Sequence, residues 1–312
     1  MRLEGIHHIT AITGDAPANV EFYAGLLGLR MVKKTVNQDD PTVYHLFYAD
    51  ELGSPGADLT FFEYPGVPRG RAGDGMVHRV VWRVEGRESL DFWQKRLERE
   101  GIAIERSEES LVFADGEGLA LELTLDRSGD PPLRAEFPDV PKEYAIRGFE
   151  GARAYSSAPE DSAAFFEQSL GFVPAGDAAW TVRGDRRGSW YRFDPPPGVA
   201  PRSGAGTVHH IAWASQMGDH AAWRARVAEG GMTPTPIIDR FWFRSIYFRE
   251  PSGVLFEIAT LGPGFTVDED LETLGERLVL PPRFEPLRDR LEEVLTPLPD
   301  PRKAARTASA AQ

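Results

Sequence analysis

The chain of 312 residues contains no cysteine, which excludes thiolate nucleophiles, iron–sulfur clusters, disulfide staples and zinc–thiolate sites. Lysine is nearly as scarce, five of the 35 basic residues, the other 30 being arginine; such a bias follows genome composition as readily as heat adaptation and carries no function. Positive charge is in deficit overall: 48 acids against 35 bases give a net charge of −13. Without a basic stripe to neutralise a phosphate backbone, nucleic acid is not an expected partner. No apolar run approaches the roughly 18 residues of a membrane span, and the opening MRLEGIHHIT has neither the charged and apolar regions nor the cleavage site of a leader. The expectation is a cytoplasmic protein with a small-molecule partner and no membrane association. At roughly 150 residues per domain, the length suggests two domains, each large enough to bury a core.

What the chain does have is an internal repeat. The clearest pair is Ile6-His7-His8-Ile9-Thr10 and Val208-His209-His210-Ile211-Ala212, entered through Gly5 and Gly206. A third copy is Val77-His78-Arg79-Val80-Val81 behind Gly75, and a degenerate fourth is Phe149-Glu150-Gly151-Ala152-Arg153 behind Gly148. Each is followed by a stretch of helical periodicity, starting near Ala16, Glu88, Glu160 and Gly218. In the first, Val20, Phe22, Tyr23, Leu26 and Leu27 share a face and Gly28 is the expected C-cap. Beyond each helix the period falls to two, as in Thr42 to Tyr48 and Ser245 to Arg249, and each unit closes on an apolar strand: Leu59 to Glu63, Leu119 to Thr124, Trp190 to Phe193 and Val254 to Thr260.

The pattern predicts an α+β fold of four βαβββ modules, over residues 5–65, 75–125, 148–194 and 206–260. One copy cannot bury its sheet, so copies must pair, and two paired sheets curling round an interior make a half-open barrel whose concave face can hold a ligand. The Pro-rich stretch 126–144 reads as the linker between halves. In the extension 261–312, residues 284–295 read as an exposed amphipathic helix, and the small-residue end, 304–312, as a disordered tail.

His8 and His210 occupy the same register of equivalent strands, each preceded by a histidine that alternation puts on the opposite strand face. A lone strand histidine is ordinarily a hydrogen-bonded core or surface residue, but a doublet recurring at matched register suggests metal ligation by neutral imidazole. Glu257, set in the apolar strand Val254 to Ala259, would complete a set of two imidazoles and a carboxylate. That set leaves coordination positions open and suits non-haem Fe(II) and oxygen. Alternation alone leaves a solvent-facing Glu257 equally open. Acids at Glu63 and Glu122, taken as its counterparts, leave room for a structural habit of the repeat.

On these residues the chain resembles the vicinal oxygen chelate superfamily over about residues 5 to 260. Within it the chain is most similar to hydroquinone-type ring-cleaving dioxygenases, the branch of chlorohydroquinone dioxygenase, through Gly5 to Thr10, Val208 to Ala212 and Asp239 to Gly253. The resemblance implies His8, His210 and Glu257 as Fe(II) ligands, and His7, Thr10, His209, Arg240 and Tyr247 as the groups around them. Catechol-cleaving relatives take a histidine from module three, where this chain has Gly151. One site drawing on modules one and four implies that these two share a barrel and that modules two and three form the other, expected to be metal-free because Arg79 replaces the second histidine.

The resulting expectation is an Fe(II)-dependent dioxygenase acting on a para-diol with O2, His209 moving a proton and Tyr247 and Arg240 orienting the ring. Rival readings on the same fold are a glyoxalase-like isomerase or thiol transferase using another divalent metal, and a non-catalytic binder of aromatic molecules. His45 and His220 are expected to be structural. Loops 65–74 and 176–188 are expected to shape the pocket, and oligomeric state is left open.

Overall fold

The computed structural model describes residues 1–304. Module one comprises β1 (Ile6–Thr13), α1 (Ala16–Val20), β2 (Arg30–Val36), β3 (Tyr44–Ala49) and β4 (Asp58–Glu63). Module two comprises β5 (Met76–Val84), α2 (Arg87–Arg99), β6 (Glu105–Arg106), β7 (Ser110–Ala114) and β8 (Ala120–Leu125). In module three these are β9 (Phe149–Tyr155), α3 (Glu160–Ala164), β10 (Val173–Pro174), β11 (Ala179–Arg183) and β12 (Gly188–Asp194). Module four has β13 (Val208–Ser215), α4 (His220–Glu229), β14 (Ile238–Asp239), β15 (Arg244–Arg249) and β16 (Leu255–Thr260).

The sixteen strands form two eight-stranded sheets. One runs β14-β15-β16-β13-β1-β4-β3-β2 and joins modules four and one; the other runs β10-β11-β12-β9-β5-β8-β7-β6 and joins modules three and two. This is the pairing expected from sequence. In each sheet the first strands of two modules meet antiparallel at the centre, β1 on β13 and β5 on β9. The chemistry-bearing repeat therefore lies along the central seam of each curled sheet.

Every residue of β1 is buried, because one face meets the core and the other the barrel interior. The largest core cluster runs through both sheets and their helices, including Trp82, Trp93, Trp213 and Trp223. A separate apolar cluster lies within the sheet of modules one and four, with Val32, Phe47, Ala212, Trp242, Phe243 and Phe265. It supplies the dry surroundings of the site described below.

The first helix keeps its 3.6-residue period only over Ala16–Val20; the next turn, Glu21–Leu26, is π-helical, with the Leu27 N–H donating to the Phe22 carbonyl at 2.9 Å. Module three repeats the device at Phe165–Leu170, ending on left-handed Gly171. The extension beyond β16 closes the barrel of modules one and four. Leu278 bridges Lys34 of the outer strand β2, covering a sheet edge, and the fully buried Lys33 meets Asp268 at 2.9 Å and also Glu269. The segment expected as an exposed helix is a short 3-10 turn, Glu285–Leu287, leading into α5 (Arg288–Val294). It docks rather than standing free, because Leu291 and Leu295 are buried in the main core. The tail expected to be disordered, Ala304 apart, lies outside the described residues. No helix among the described residues is long and apolar enough to cross a membrane.

Candidate active site

The β1–β13 ladder contains two register shifts. Ile6 faces Trp213 and His8 faces Ala212, which leaves His7 as an extra residue; Thr10 faces His210 and Ala11 faces Val208, which leaves His209 extra. Both are β-bulges, which re-aim side chains by inserting one residue against a regular partner strand. The other seam has the same two bulges, at His78 and Glu150. Strict alternation would separate the members of each doublet. The bulges instead bring His7 Nδ1 to 2.9 Å from His8 Nδ1, and His209 Nδ1 to 2.8 Å from His210 Nδ1.

His8, His210 and Glu257 converge inside the barrel of modules one and four. Their facing atoms form a triangle: His8 Nε2 to His210 Nε2 3.3 Å, His8 Nε2 to Glu257 Oε2 3.2 Å, and His210 Nε2 to Glu257 Oε2 2.9 Å. All three residues are buried, Glu257 completely, so the solvent-facing reading of Glu257 does not hold. Glu257 reaches inward because β16 pairs with β13 in parallel and sets it beside Ala212.

The proton positions follow from a carbonyl. His7 Nε2 lies 3.1 Å from the Thr260 carbonyl oxygen, which can only accept, so His7 carries its hydrogen on Nε2. Burial, with His8 adjacent, lowers the His7 pKa to about 3 and keeps the ring neutral. Its bare Nδ1 must then accept from His8 Nδ1–H, leaving His8 Nε2 as a lone pair facing Glu257. Burial also lowers His210. Burial alone would raise the Glu257 pKa; positive charge at the His8 and His210 imidazoles carries it well below the ordinary carboxylate range, and with those nitrogens bare a cation between them must supply that charge.

A buried carboxylate that no hydrogen bond satisfies thus faces two imidazole nitrogens, a costly arrangement without a cation. A divalent metal fits it. Bonds of about 2.1 Å at right angles put ligand atoms about 3.0 Å apart, close to the triangle's sides. Among the described residues this is the one cluster of at least three metal-binding side chains.

The sheet registers also identify the equivalent positions in the other modules. Those of His8 and His210 are taken by Arg79 and Gly151. Those of Glu257 are Thr60, Glu122 and Arg192, since Thr10 pairs with Thr60, Val81 with Glu122 and Arg153 with Arg192. Glu122 is a counterpart as expected, but Glu63 is not; it lies three residues further along β4 and accepts from the Ala16 N–H at 3.3 Å. In the other barrel the Arg79 guanidinium donates to Glu122 at 3.0 Å, and the Trp190 ring lies where a Gly151 side chain would stand.

A small cavity of about 30 Å³ adjoins the triangle, with Arg240, Tyr247, Trp242 and Phe243 of module four on one side and Asn37, Asp39, His45 and Phe62 of module one on the other. Loops 65–74 and 176–188 do not line it; the turn Asn37–Asp39 does. Tyr247 stands across from Glu257 in the β15–β16 ladder, its ring 5.6 Å from His210. Arg240 donates from Nε to the Tyr247 hydroxyl at 3.3 Å and grips Asp39 through both other nitrogens at 3.0 and 2.9 Å. Burial raises the pKa of Tyr247, helped by Glu257. Thr10 is buried opposite His210, its hydroxyl 2.8 Å from that of Thr60. His209 is the exposed member of its doublet, packed edge-on against Phe62, and burial of its inner edge lowers its pKa to about 4.

His45, expected to be structural, is in the cavity wall instead, with Nε2 2.9 Å from Thr60 Oγ1. It has no doublet partner, and only the curl of β3 over the site brings it there. His220 is a core residue capped by the Ser215 hydroxyl at 3.4 Å.

Comparison with known proteins agrees with this architecture. The family model of the Glyoxalase/Bleomycin resistance protein/Dioxygenase superfamily matches residues 5–129 and 152–258. "Putative ring-cleaving dioxygenase MhqO" of Bacillus subtilis is 43% identical over 302 residues, covering 94% of this chain and 96% of its own length. "Chlorohydroquinone/hydroquinone 1,2-dioxygenase" of Sphingobium indicum is 32% identical over 320 residues, covering 93% and 95%. The crystal structure of a "putative dioxygenase" from Bacillus subtilis superposes with a TM-score of 0.88 at 40% identity, covering 96% of this chain and 98% of that one. The chain belongs to the Glyoxalase/Bleomycin resistance protein/Dioxygenase superfamily and, within it, to the ring-cleaving dioxygenases.

Proposed function

We propose that the chain uses Fe(II), held by His8, His210 and Glu257, to open an aromatic ring bearing para hydroxyls, inserting both atoms of O2. The observation that carries this reading is the triangle of two imidazole nitrogens and one buried carboxylate oxygen, 2.9 to 3.3 Å apart. Its 32% identity to a hydroquinone 1,2-dioxygenase supports the choice of substrate. Bound iron would supply adjacent open positions for one substrate hydroxyl and O2 and a route for electrons between them.

The chain's own groups do the rest. A para-diol cannot bring both oxygens to one cation, so its second hydroxyl needs a partner in the wall. Tyr247 keeps its proton because burial raises its pKa; its oxygen accepts from Arg240 Nε, which leaves its hydrogen for the substrate oxygen held beside His210. Asp39 holds the guanidinium in place. His7 has its Nε2 hydrogen committed to Thr260. His209 has no such acceptor, and as a neutral imidazole at the exposed end of the doublet it offers its Nε2–H as a hydrogen bond to an oxygen at the mouth. Phe243, 5.3 Å from both His7 and His8, keeps water from the rear of the triangle. The products are a ring-opened semialdehyde or, from a halogenated ring, an acyl halide that hydrolyses.

An isomerase or transferase of this fold would need a fourth protein ligand, and the symmetry-related position nearest to supplying one holds Thr60 rather than an acid. Replacement of His210 by Ala tests the assignment: iron content and O2 uptake should both collapse, and retention of both would refute it.

A further inference from the structure

We infer that His45 is a specificity-determining residue that receives the substrate hydroxyl not bound to the metal. The inference rests on the para-diol reading above and deepens it.

The ring of His45 is held on three sides. Its faces pack against Phe47 and Phe62, with centroids 4.0 and 4.4 Å away, and its Nε2 lies 2.9 Å from Thr60 Oγ1. His45 lines the cavity that also touches His8 and His210, and its ring nitrogen Nδ1 is not engaged by the bond to Thr60, which uses Nε2. A side chain so fixed has lost its rotamer freedom before any ligand arrives, so a hydrogen bond from Nδ1 carries little further ordering cost.

The sheet order sets the direction. β1, β13 and β16 bring the three candidate ligands to the middle of the curled sheet, β15 with Tyr247 lies next to β16, and β3 with His45 lies beyond β4 on the other flank. A flat ring between these walls meets hydrogen-bonding groups on both flanks. A catechol would spend both oxygens at the metal and leave His45 without a partner, whereas a para-diol has a second oxygen to offer it.

The Thr60 and Thr10 hydroxyls, 2.8 Å apart, let His45 serve either polarity. With hydroxyl hydrogens running toward Thr10, Thr60 accepts from His45 Nε2–H and Nδ1 is an acceptor for the substrate O–H. With the chain reversed, Nδ1–H donates to a substrate oxygen. Burial holds the ring neutral by lowering its pKa well below the usual histidine value, so one nitrogen is always a donor and the other an acceptor.

The test compares hydroquinone with phenol, which keeps one metal-binding hydroxyl and lacks the other, by anaerobic equilibrium binding to the iron-loaded chain. The parent should bind hydroquinone about tenfold more tightly, the share of one buried hydrogen bond to a fixed partner. In His45→Phe, which keeps the aromatic stack, that ratio should fall toward one at unchanged iron content, and His45→Gln should recover part of it. Thr60→Val, which leaves the His45 ring present but unmoored, should lower the ratio as well and provides the comparison if His45→Phe does not fold. A ratio unchanged in the His45 variants overturns the role of His45 while leaving the diol reading standing. No binding of hydroquinone by the iron-loaded parent overturns the diol reading and His45's role with it.

Discussion

His7 Nε2 donates to the carbonyl oxygen of Thr260 at 3.1 Å, and this bond between the first strand of module one and the last of module four decides which nitrogen of His8 carries its hydrogen. Removing it should free His8 to take the wrong tautomer. His7→Phe is expected to lower divalent-metal affinity roughly 10- to 100-fold, the usual effect of deleting a group that orients a ligand, with the fold intact by circular dichroism. Metal titration of the apo chain checks this, and an affinity equal to the parent's would separate His7 from the metal site.

Lys33 is fully buried beside Asp268 and Glu269 and ties the C-terminal extension across β2. Lys33→Met would leave the buried Glu269 without its counter-charge, which typically costs about 3–5 kcal/mol. Denaturant unfolding should register that loss, and Lys33→Met with Glu269→Leu should recover a large part of it.

In the barrel of modules two and three, burial lowers the His78 pKa to about 4, against the partial compensation of its 2.8 Å bond to Asp194. A histidine whose folded pKa lies below its unfolded value of about 6.5 binds its proton more readily when unfolded. Its contribution is complete above about pH 6.5 and is lost as the pH falls toward 4. His78→Phe should therefore flatten the pH dependence of unfolding free energy in that window by up to one proton, about 1.4 kcal/mol per pH unit. An unchanged slope would contradict a neutral His78.

A cavity of about 30 Å³ beside the metal-binding triangle has room for about one water, whereas a benzene-sized guest needs roughly 150 Å³. Entry of an aromatic ring must therefore widen the space between the two walls, which the Asp39–Arg240 ion pair joins. Arg240→Lys retains the charge but loses the planar fork, and kcat/KM for a para-diol should fall roughly 10- to 100-fold, as for loss of a charged hydrogen bond. Steady-state kinetics at matched iron content measures this. Unchanged kcat/KM would remove Arg240 from the site.

The four-fold repeat and the pairing of modules one with four were legible because glycine-led His-His strands recur at fixed register and a lone module cannot bury its sheet. The triangle was legible in residue type and spacing. The bulges at His7 and His209 were not, because an extra residue in a ladder is a property of two strands together, and alternation along one strand puts each doublet on opposite faces. Glu63 reads from sequence as the counterpart of Glu257 for a related reason: only the parallel register of β1 and β4 assigns that place to Thr60. His45 and the turn Asn37–Asp39 reach the cavity through the curl of the sheet, which no local pattern encodes.

The measurement that tests the central claim most directly is O2 consumption by the chain reconstituted anaerobically with Fe(II), using hydroquinone, methylhydroquinone and catechol as substrates. The account predicts uptake with a para-diol in preference to catechol, one O2 per ring, with the absorbance of a ring-opened product. Stoichiometric bound iron with no uptake on any of the three diols would contradict it.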